Sequence, residues 1–463
     1  MGAGRVTASA TNLALRLLPS DWDWGLDGQI VLAGVLCAVA ASLLGNFLVL
    51  RRLSMLGDAI SHAVLPGLAA AFLLSHSRDS FPMLVGAVIA GVITTLLTEW
   101  IRSLGRVEEG ASMGVVFTSL FALGLVMIVR AADEVDLHPD CVLYGALENM
   151  TMTQIGNIFV PTPVITLGVV LLTNLLFVVL FFKELKITSF DPALATTTGF
   201  NAQLMHYLLM VLVAITAVAS FETVGNILVV AMFVVPPAAA WLLTDRLWLM
   251  ISLSAILAAG SAFGGHVAAL EVPRWFGYRS TTTTGMMAVV AGLVLFAAAM
   301  FSPTHGILVR LIRRRLLGLC ILADDVVALL YRIHERKYKT AATITNLRTI
   351  LLSDRISLRW TLFCLVRRGQ VVQEGYEYRL TESGTSAAQQ LVRSHRLWEQ
   401  YLASHTAVDA AALHDKAEKF EHFTTRKLRE QLSNATNAPE IDPHGSEIPH
   451  ESEKPESPDL NNA

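Results

Sequence analysis

Two groups of residues in this 463-residue chain have donor types and spacings that suit a divalent cation. The first is Asp58 and His62, in a run from 59 to 74 that is apolar apart from Ser61 and His62. Positions four apart share one face of a helix, so a carboxylate and an imidazole stack there. Pro66 cannot donate to the carbonyl four residues back, so a backbone oxygen at His62 is freed beside the ring. Carboxylate, imidazole and carbonyl together suit manganese, iron or zinc. An ionisable side chain at membrane depth costs about 2.5–3.5 kcal/mol even on lenient insertion scales, so it needs a partner or a purpose. The plainer alternative is an Asp at the membrane edge and a His bonded to a neighbouring helix. The second group lies near the C-terminus. His395 and Glu399 are four apart on one expected helix, and His414, Glu418, Glu421 and His422 follow on another at steps of four, three and one. At about 100° per residue those four fall within an arc of roughly 100°. Two imidazoles and two carboxylates on one arc can bind a transition metal. The alternative is a solvated helix of mixed charge.

The elements that must position these groups differ in kind. The chain is 53% hydrophobic and 16% charged, with a mean hydropathy of +0.53, which excludes an ordinary soluble domain for most of its length. Apolar residues dominate up to about Phe301, after which charges become dense. Runs of about 20 apolar residues, enough to cross a bilayer, lie near 29–50, 57–74, 82–101, 111–130, 159–182, 204–220, 224–243, 247–270 and 283–301. The expected fold is mostly α: a polytopic bundle of about eight or nine spans, then a small winged-helix domain and metal-binding helices, whose dimerising role is implied by the family resemblance of the C-terminal half. The expected boundaries are an external segment 1–27, a transmembrane domain 28–302, a juxtamembrane linker 303–322, a winged helix 323–385, metal-binding helices 386–444 and a disordered tail 445–463. The amphipathic stretch 316–335 suits the membrane surface.

Basic residues set an orientation. With the C-terminus inside, inner loops hold Arg51, Arg52, Arg102, Arg106, Lys183, Lys186, Arg246 and the cluster from Arg310 to Arg315. Outer loops then hold Arg78, Arg130, Arg274 and Arg279, with an acidic stretch at 133–140 that either gathers cations or is merely solvated. No basic, cleavable leader precedes the first span, so that span reads as an anchored helix. The formal net charge of -3 selects no partner, and Cys37, Cys141, Cys320 and Cys364 form neither a CxxC pair nor a disulfide framework. There is no G-x-x-x-x-G-K-[ST] loop, so this chain has no ATP site of that type and any hydrolysis falls to another subunit. The chain reads as a transporter component rather than an enzyme.

Several local features carry expectations of their own. Asp191 suits a helix N-cap, Pro192 the first helical position and Gly199 the terminating turn, which predicts a short inner helix, either a docking element or a tidy loop. Pro236-Pro237 frees the carbonyls of Met232 and Phe233 and predicts a discontinuous helix. The two spans flanking 221–223 are close enough to be broken helices. Glu222 and His206 read as mainly structural, and Gly264-Gly265-His266 as close helix packing.

The membrane half resembles the permease subunit of zinc/manganese/iron ABC importers. The likeness rests on Arg-Leu-Ser-Met-Leu-Gly-Asp-Ala-Ile-Ser-His-Ala-Val-Leu-Pro-Gly at 52–67, on the Phe190-Asp191-Pro192 loop and on the run 228–243 with its paired prolines. It covers about 27–302. It implies a dimeric permease, homo- or heterodimeric, in the bacterial cytoplasmic membrane, served by a cytoplasmic ATPase and an external metal-binding lipoprotein. It further implies that Asp58 and His62 coordinate the ion in transit. Phe190, Asp191, Pro192 and Gly199 would belong to the ATPase-coupling helix.

The C-terminal half reads as helices at 341–352 and 357–368 followed by strands at 371–373 and 376–380, a winged helix-turn-helix outline. Ser-His-Arg-Leu-Trp-Glu at 394–399, Leu-His-Asp-Lys-Ala-Glu-Lys-Phe-Glu-His at 413–422 and Asp-Pro-His-Gly-Ser-Glu-Ile-Pro at 442–449 resemble the diphtheria-toxin-repressor family of metal-dependent regulators. That resemblance implies metal ligands at His395, Glu399, His414, Glu418, Glu421, His422 and Asp325. Glu418 stands where the iron-responsive branch has a thiolate, and a harder ligand favours manganese. Ala328 departs from the manganese branch, where a further carboxylate is expected, and this departure argues against a second bound ion. Arg359 and Trp360 stand where small polar residues usually begin the recognition helix. The module then serves either as a sensor that adjusts uptake or as a DNA reader contacting bases through Arg355, Ser357 and Arg359.

Overall fold

The computed structural model of the chain describes residues 22–53, 56–75, 80–105, 108–131, 152–155, 158–278, 281–335, 341–405, 410–437, 440–442 and 445–450. These fall into two compact units, 1–309 and 310–463.

The first unit is a bundle of long apolar helices. In order they are α1 (Asp27–Leu50), α2 (Leu56–Ser75), α3 (Ser80–Gly105), α4 (Glu109–Ala131), then a hairpin β1 (Met152–Ile155) and β2 (Ile158–Pro161), then α5 (Thr162–Leu180), α6 (Phe182–Phe190), α7 (Pro192–Thr197), α8 (Ala202–Val224), α9 (Asn226–Leu243), α10 (Leu247–Trp275) and α11 (Thr283–Phe301). Among the described residues eight helices are long and apolar enough to cross a membrane, and α2 adds a further 20-residue helix. The protein is therefore mostly α and multi-pass. The fifth hydrophobic run begins as strand, so its helix starts at Thr162 rather than 159.

Helix α1 is the centre of the bundle and packs on α5, α8, α9 and α10. Its Cys37, Leu44, Phe47 and Leu48 are wholly buried. Two amides bind it to its neighbours where no water is available. Asn46 Nδ2 donates to Ser254 Oγ on α10 at 2.7 Å, and Asn174 Nδ2 on α5 donates to Thr216 Oγ1 on α8 at 2.8 Å and to the Ala40 carbonyl. Such interhelical bonds contribute about 0.6–2 kcal/mol each in a membrane.

Two expectations are corrected here. Helix α9 runs unbroken through Pro236 and Pro237. The freed Phe233 carbonyl presses on Gly45 of α1, where a Cβ would lie 2.1 Å from the oxygen. Close packing of this carbonyl on α1 accompanies the lost bond without opening the helix. The spans flanking 221–223 are two full helices of 23 and 18 residues. They are joined by Gly225 alone at φ +80°, a conformation open to a residue without Cβ.

The second unit comprises most of α12 (Ile307–Glu335), then α13 (Ile344–Ile350), α14 (Arg355–Arg367), the hairpin β3 (Val371–Glu374) and β4 (Glu377–Leu380), α15 (Glu382–His405), α16 (Ala410–Glu421) and α17 (Arg426–Ala435). Residues 303–322 thus run largely into one continuous helix. Helices α13 and α14 begin at their caps: the Thr343 side chain accepts from the Asn346 amide and Asp354 from the Ile356 amide. The two strands pair antiparallel with Glu374 opposite Glu377, around Gly375 at φ +63°. Leu347, Leu358, Leu362, Leu365 and Val371 close a core beneath this winged-helix outline, with Val326 and Leu330 from α12 and Ala388 from α15.

Candidate metal centres

The membrane pair lies in α2, with Asp58 and His62 one turn apart and Pro66 inside the same helix. The side chains of both fall outside the described residues, as do that of Glu222 and the acidic stretch 133–140. The setting of the helix is described. A Cβ on Gly67 would lie 2.4 Å from the Gly86 carbonyl oxygen of α3, and one on Gly124 of α4 would lie 2.8 Å from the Pro66 nitrogen. Helix α2 is therefore held between α3 and α4 at backbone contact, the close approach that small residues permit. Gly265 likewise lets α10 meet α11 at Met287. Next to it, buried His266 Nε2 lies 3.1 Å from Asp27 Oδ1. His206 sits between Arg51, 3.4 Å from its Nδ1, and Glu99, 3.4 Å from its Nε2.

The inner-helix residues take the positions their types imply. Asp191 accepts the Leu194 amide at 2.9 Å and caps α7, Pro192 opens it, and Gly199 ends the segment at φ +90°. Phe190, the last residue of α6, is 63% exposed and Leu194 of α7 52%, an apolar pair on either side of the Asp191 cap.

The second unit brings the C-terminal candidates into two sets. In one, buried His395 and Glu399 stand one turn apart on α15 and face exposed His414 on α16. His395 Nε2 lies 3.1 Å from Glu399 Oε1 and 3.1 Å from His414 Nδ1, which is 2.7 Å from the same carboxylate oxygen. Ligands bound at about 2.0–2.2 Å to one ion lie roughly 3–3.5 Å from one another, so this spacing serves a shared proton or a shared cation. The other set is Asp325 of α12, Glu421 at the end of α16 and His422 beyond it. His422 Nε2 lies 3.4 Å from Asp325 Oδ1 and 3.7 Å from Glu421 Oε1. The sets meet where His395 Nδ1 and Glu421 Oε2 approach to 2.5 Å, both buried and neither with any other partner among the described residues.

The electrostatics follow from this crowding. Burial pushes the His395 imidazole down, but the hydrogen bonds and charges of Glu399 and Glu421 outweigh it and hold the ring up at about 8. For His422, burial is again outweighed, by hydrogen bonds to Asp324 and Asp325 and by the charges of Glu421 and Asp325, and the ring is held at about 10. Burial would raise the Glu399 carboxyl, yet bonding to His395 and His414 brings it below the usual range. The imidazoles and carboxylates stand at spacings that one divalent cation per set can bridge, so the residues fit such an ion.

The single arc expected for His414, Glu418, Glu421 and His422 is not what forms. Helix α16 stops at Glu421, so His422 leaves the helical path toward α12 while His414 turns to α15. Glu418 is exposed and belongs to neither set among the described residues. Asp324, whose Oδ2 lies 3.3 Å from His422 Nδ1, was missed, and its only signal was adjacency to Asp325. Also missed was Arg396, buried and bidentate to Glu335 at 2.8 and 3.2 Å and 3.5 Å from Asp442, which ties the end of α12 and the segment after α17 to α15. Arg355 and Arg359 lie exposed on α14 beside exposed Trp360, with Ser357 half-buried.

A bundle of membrane-length helices followed by a unit rich in convergent imidazoles and carboxylates defines a multi-pass membrane protein with an attached cation-binding domain. Residues 28–302 match the ABC 3 transport family, more than half of the chain, and the protein belongs to that family. Residues 381–450 match the iron dependent repressor, metal binding and dimerisation domain. Among similar proteins, the manganese transport system membrane protein MntD of Bacillus subtilis is 40% identical over 290 residues, covering 62% of this chain and 96% of its own. The zinc transport system membrane protein TroD of Treponema pallidum is 36% identical over 370 residues, covering 78% and 97%. Of solved structures, PsaBC from Streptococcus pneumoniae in complex with Fab superposes with a TM-score of 0.50 at 29% identity, covering 60% of this chain and 92% of that one.

Proposed function

We propose that this ABC 3 permease carries a divalent transition metal inward through an ATP-driven importer, and that its C-terminal module reads the same metal inside the cell. The observation that carries this is the union, in one chain, of the family's membrane bundle with two imidazole–carboxylate sets. Manganese is the preferred ion, with zinc and iron as alternatives. Relatives are named for manganese and zinc, and the sensor sets are rich in carboxylates, which suit a harder ion. Asp58 and His62 are the proposed ligands on the path. The segment from Phe190 at the end of α6 through the capped helix α7 with exposed Leu194 is the proposed contact for a separate cytoplasmic ATPase subunit. An external metal-binding protein and a second permease chain complete the assembly, and basic loops put the C-terminus in the cytoplasm of a bacterial cell.

For the module, the residues that would hold an ion are His395, Glu399 and His414 in one set and Asp325, Glu421 and His422 in the other. A bound ion would supply a positive charge in place of the protons now shared there. His395 Nδ1 facing Glu421 then lets each set feel the other's occupancy, and filling both lowers uptake. A second reading is a membrane-tethered DNA-binding regulator, favoured by exposed Arg355 and Arg359 on α14.

Uptake into proteoliposomes of the assembled transporter, with manganese, zinc and iron in competition, tests the permease reading. Asp58→Ala with His62→Leu is expected to abolish uptake, and uptake at the native rate would overturn it. Alanine at His414, Glu421 and His422 is expected to remove the metal dependence of uptake. Sharp, metal-dependent gel-shift of DNA by the full-length protein, with uptake independent of internal metal, would select the second reading.

A further inference from the structure

We propose that the junction of α1, α3, α6 and α8 is a binding site for one anionic phospholipid, with its phosphate in a basic cavity and an acyl chain in the apolar groove beside it. The proposal needs the membrane reading alone and is independent of the metal. A cavity of about 470 Å³ opens where these four elements end, and among the described residues Arg51, Arg52 and Arg102 line it with Glu99 as its single carboxylate. Among those residues three guanidiniums face one carboxylate, a surplus of two positive charges. Glu99 is already engaged, 3.1 Å from Arg102 and 3.4 Å from His206. Arg51 is fixed by donating to Thr188 Oγ1 at 2.8 Å and to Ser189 Oγ at 3.1 Å, so a guanidinium stands at the cavity wall without freedom to swing away.

Arg52 adds a second kind of observation. It takes φ +63° just past the end of α1, and the Leu53 amide returns to the Leu48 carbonyl at 2.8 Å. Glycine is the usual residue at that turn, because a side chain there is strained. A long cationic side chain is kept in that position, and it lines the cavity.

Adjoining the cavity is an apolar groove of about 460 Å³ lined by Ile93, Leu96, Leu97, Trp100 and Tyr207, and Tyr207 lines both spaces. Along α3 the order from the groove to the helix end is aliphatic side chains, Trp100, then Arg102. On α8, Gln203 and His206 precede Tyr207. Guanidiniums, an aromatic pair and aliphatic side chains succeed one another as phosphate, ester region and acyl chain do in a lipid. Trp and Tyr are the residues that settle at the headgroup boundary, and basic pockets between helices there select anionic headgroups. A zwitterionic lipid would bring its own ammonium against the positive surplus, so the charge balance commits the site to an anionic one.

The test is native mass spectrometry of the purified full-length protein with phosphatidylglycerol, phosphatidylcholine or inorganic phosphate added separately. The wild type is expected to retain phosphatidylglycerol over phosphatidylcholine. Arg52→Gln should lower that retention about fivefold, the effect of one basic residue near an anionic surface. Leu96→Trp, which fills the groove from an exposed position, should weaken retention of either lipid. Lys183→Gln, on α6 outside the cavity, should change nothing, and unaltered melting temperatures establish that the variants are folded. Equal retention of the two lipids by wild type and Arg52→Gln overturns the proposal in favour of unselective annular lipid. Retention of inorganic phosphate that survives Leu96→Trp overturns it in favour of a plain anion site. Disulfide cross-linking of Leu96→Cys to a second copy, with no lipid retained by the wild type, overturns it in favour of a chain–chain contact.

Discussion

Replacing Glu421 by Gln keeps the side chain's shape, removes its charge and asks whether the two ligand sets behave as one device. Glu421 is buried, with Oε2 2.5 Å from His395 Nδ1 and Oε1 3.7 Å from His422 Nε2. In the His395 set its carboxylate faces the far side of the ring, where its charge would orient the imidazole. Loss of such an orienting partner lowers metal affinity about ten- to hundredfold, or roughly 1.4–2.7 kcal/mol. In the Asp325 set it is one of three proposed ligands, so its loss there should exceed that range. Glu399→Gln supplies the contrast, because among the described residues Glu399 groups with the His395 set and not with the Asp325 set. Calorimetric titration of manganese into the full-length protein at neutral pH should therefore show one weakened site in Glu399→Gln and two in Glu421→Gln. If Glu421→Gln retains either site at wild-type affinity, the reasoning from the shared carboxylate is wrong and the sets are independent.

Four further outcomes follow from other contacts in the structure. His395, held at about 8, is roughly nine-tenths protonated at pH 7, so metal entering the His395 set must displace a proton and its affinity there should rise about tenfold per pH unit up to 8 and then flatten, whereas at the His422 set, held at about 10, the rise should continue beyond 8, read by titration across pH 6–9. Without metal the sign reverses: two imidazoles whose folded values lie above 6.5 stabilise the fold fully below 6.5, and that stability is lost as pH rises through about 8 and then about 10, visible as a falling melting temperature of the metal-free protein. Gly45→Ala places a Cβ 2.1 Å from the Phe233 carbonyl oxygen and should destabilise the bundle by about 1–3 kcal/mol or more, whereas Gly292→Ala, with nothing within 4 Å, should leave the melting temperature in detergent unchanged or slightly higher. Asp191→Ala removes the cap on the Leu194 amide, about 1 kcal/mol of helix stability, and should lower ATP-driven uptake while leaving the metal affinity of the second unit untouched.

The membrane bundle was legible because bilayer thickness imposes a length on every crossing segment. The runs drawn from hydropathy correspond to α1–α5 and α8–α11, with errors at their ends where a short hairpin takes the first residues of the run before α5. What could not be read was any feature decided by a residue distant in sequence. Two adjacent prolines argue for a broken helix until Gly45, almost two hundred positions earlier, offers the freed carbonyl of Phe233 a surface to press against. Nothing near 236–237 announces that.

The cytoplasmic candidates show the same limit at the level of a site. Steps of three and four placed His395 beside Glu399 and picked out His414, Glu421 and His422, because ligands on one helix face must obey the helical period. The period says nothing about where a helix stops, and no glycine or proline marks the end of α16 after Glu421. Once it stops there, His422 swings toward Asp324 and Asp325, nearly a hundred residues earlier, while His414 stays with α15. One expected face thereby becomes two sets, with Glu421 left at the boundary between them and Glu418 outside both. The division matters for function. A single face would respond to one ion, but two sets sharing a carboxylate can respond to a second ion differently from the first, which is the property a sensor needs if it is to separate scarcity from excess.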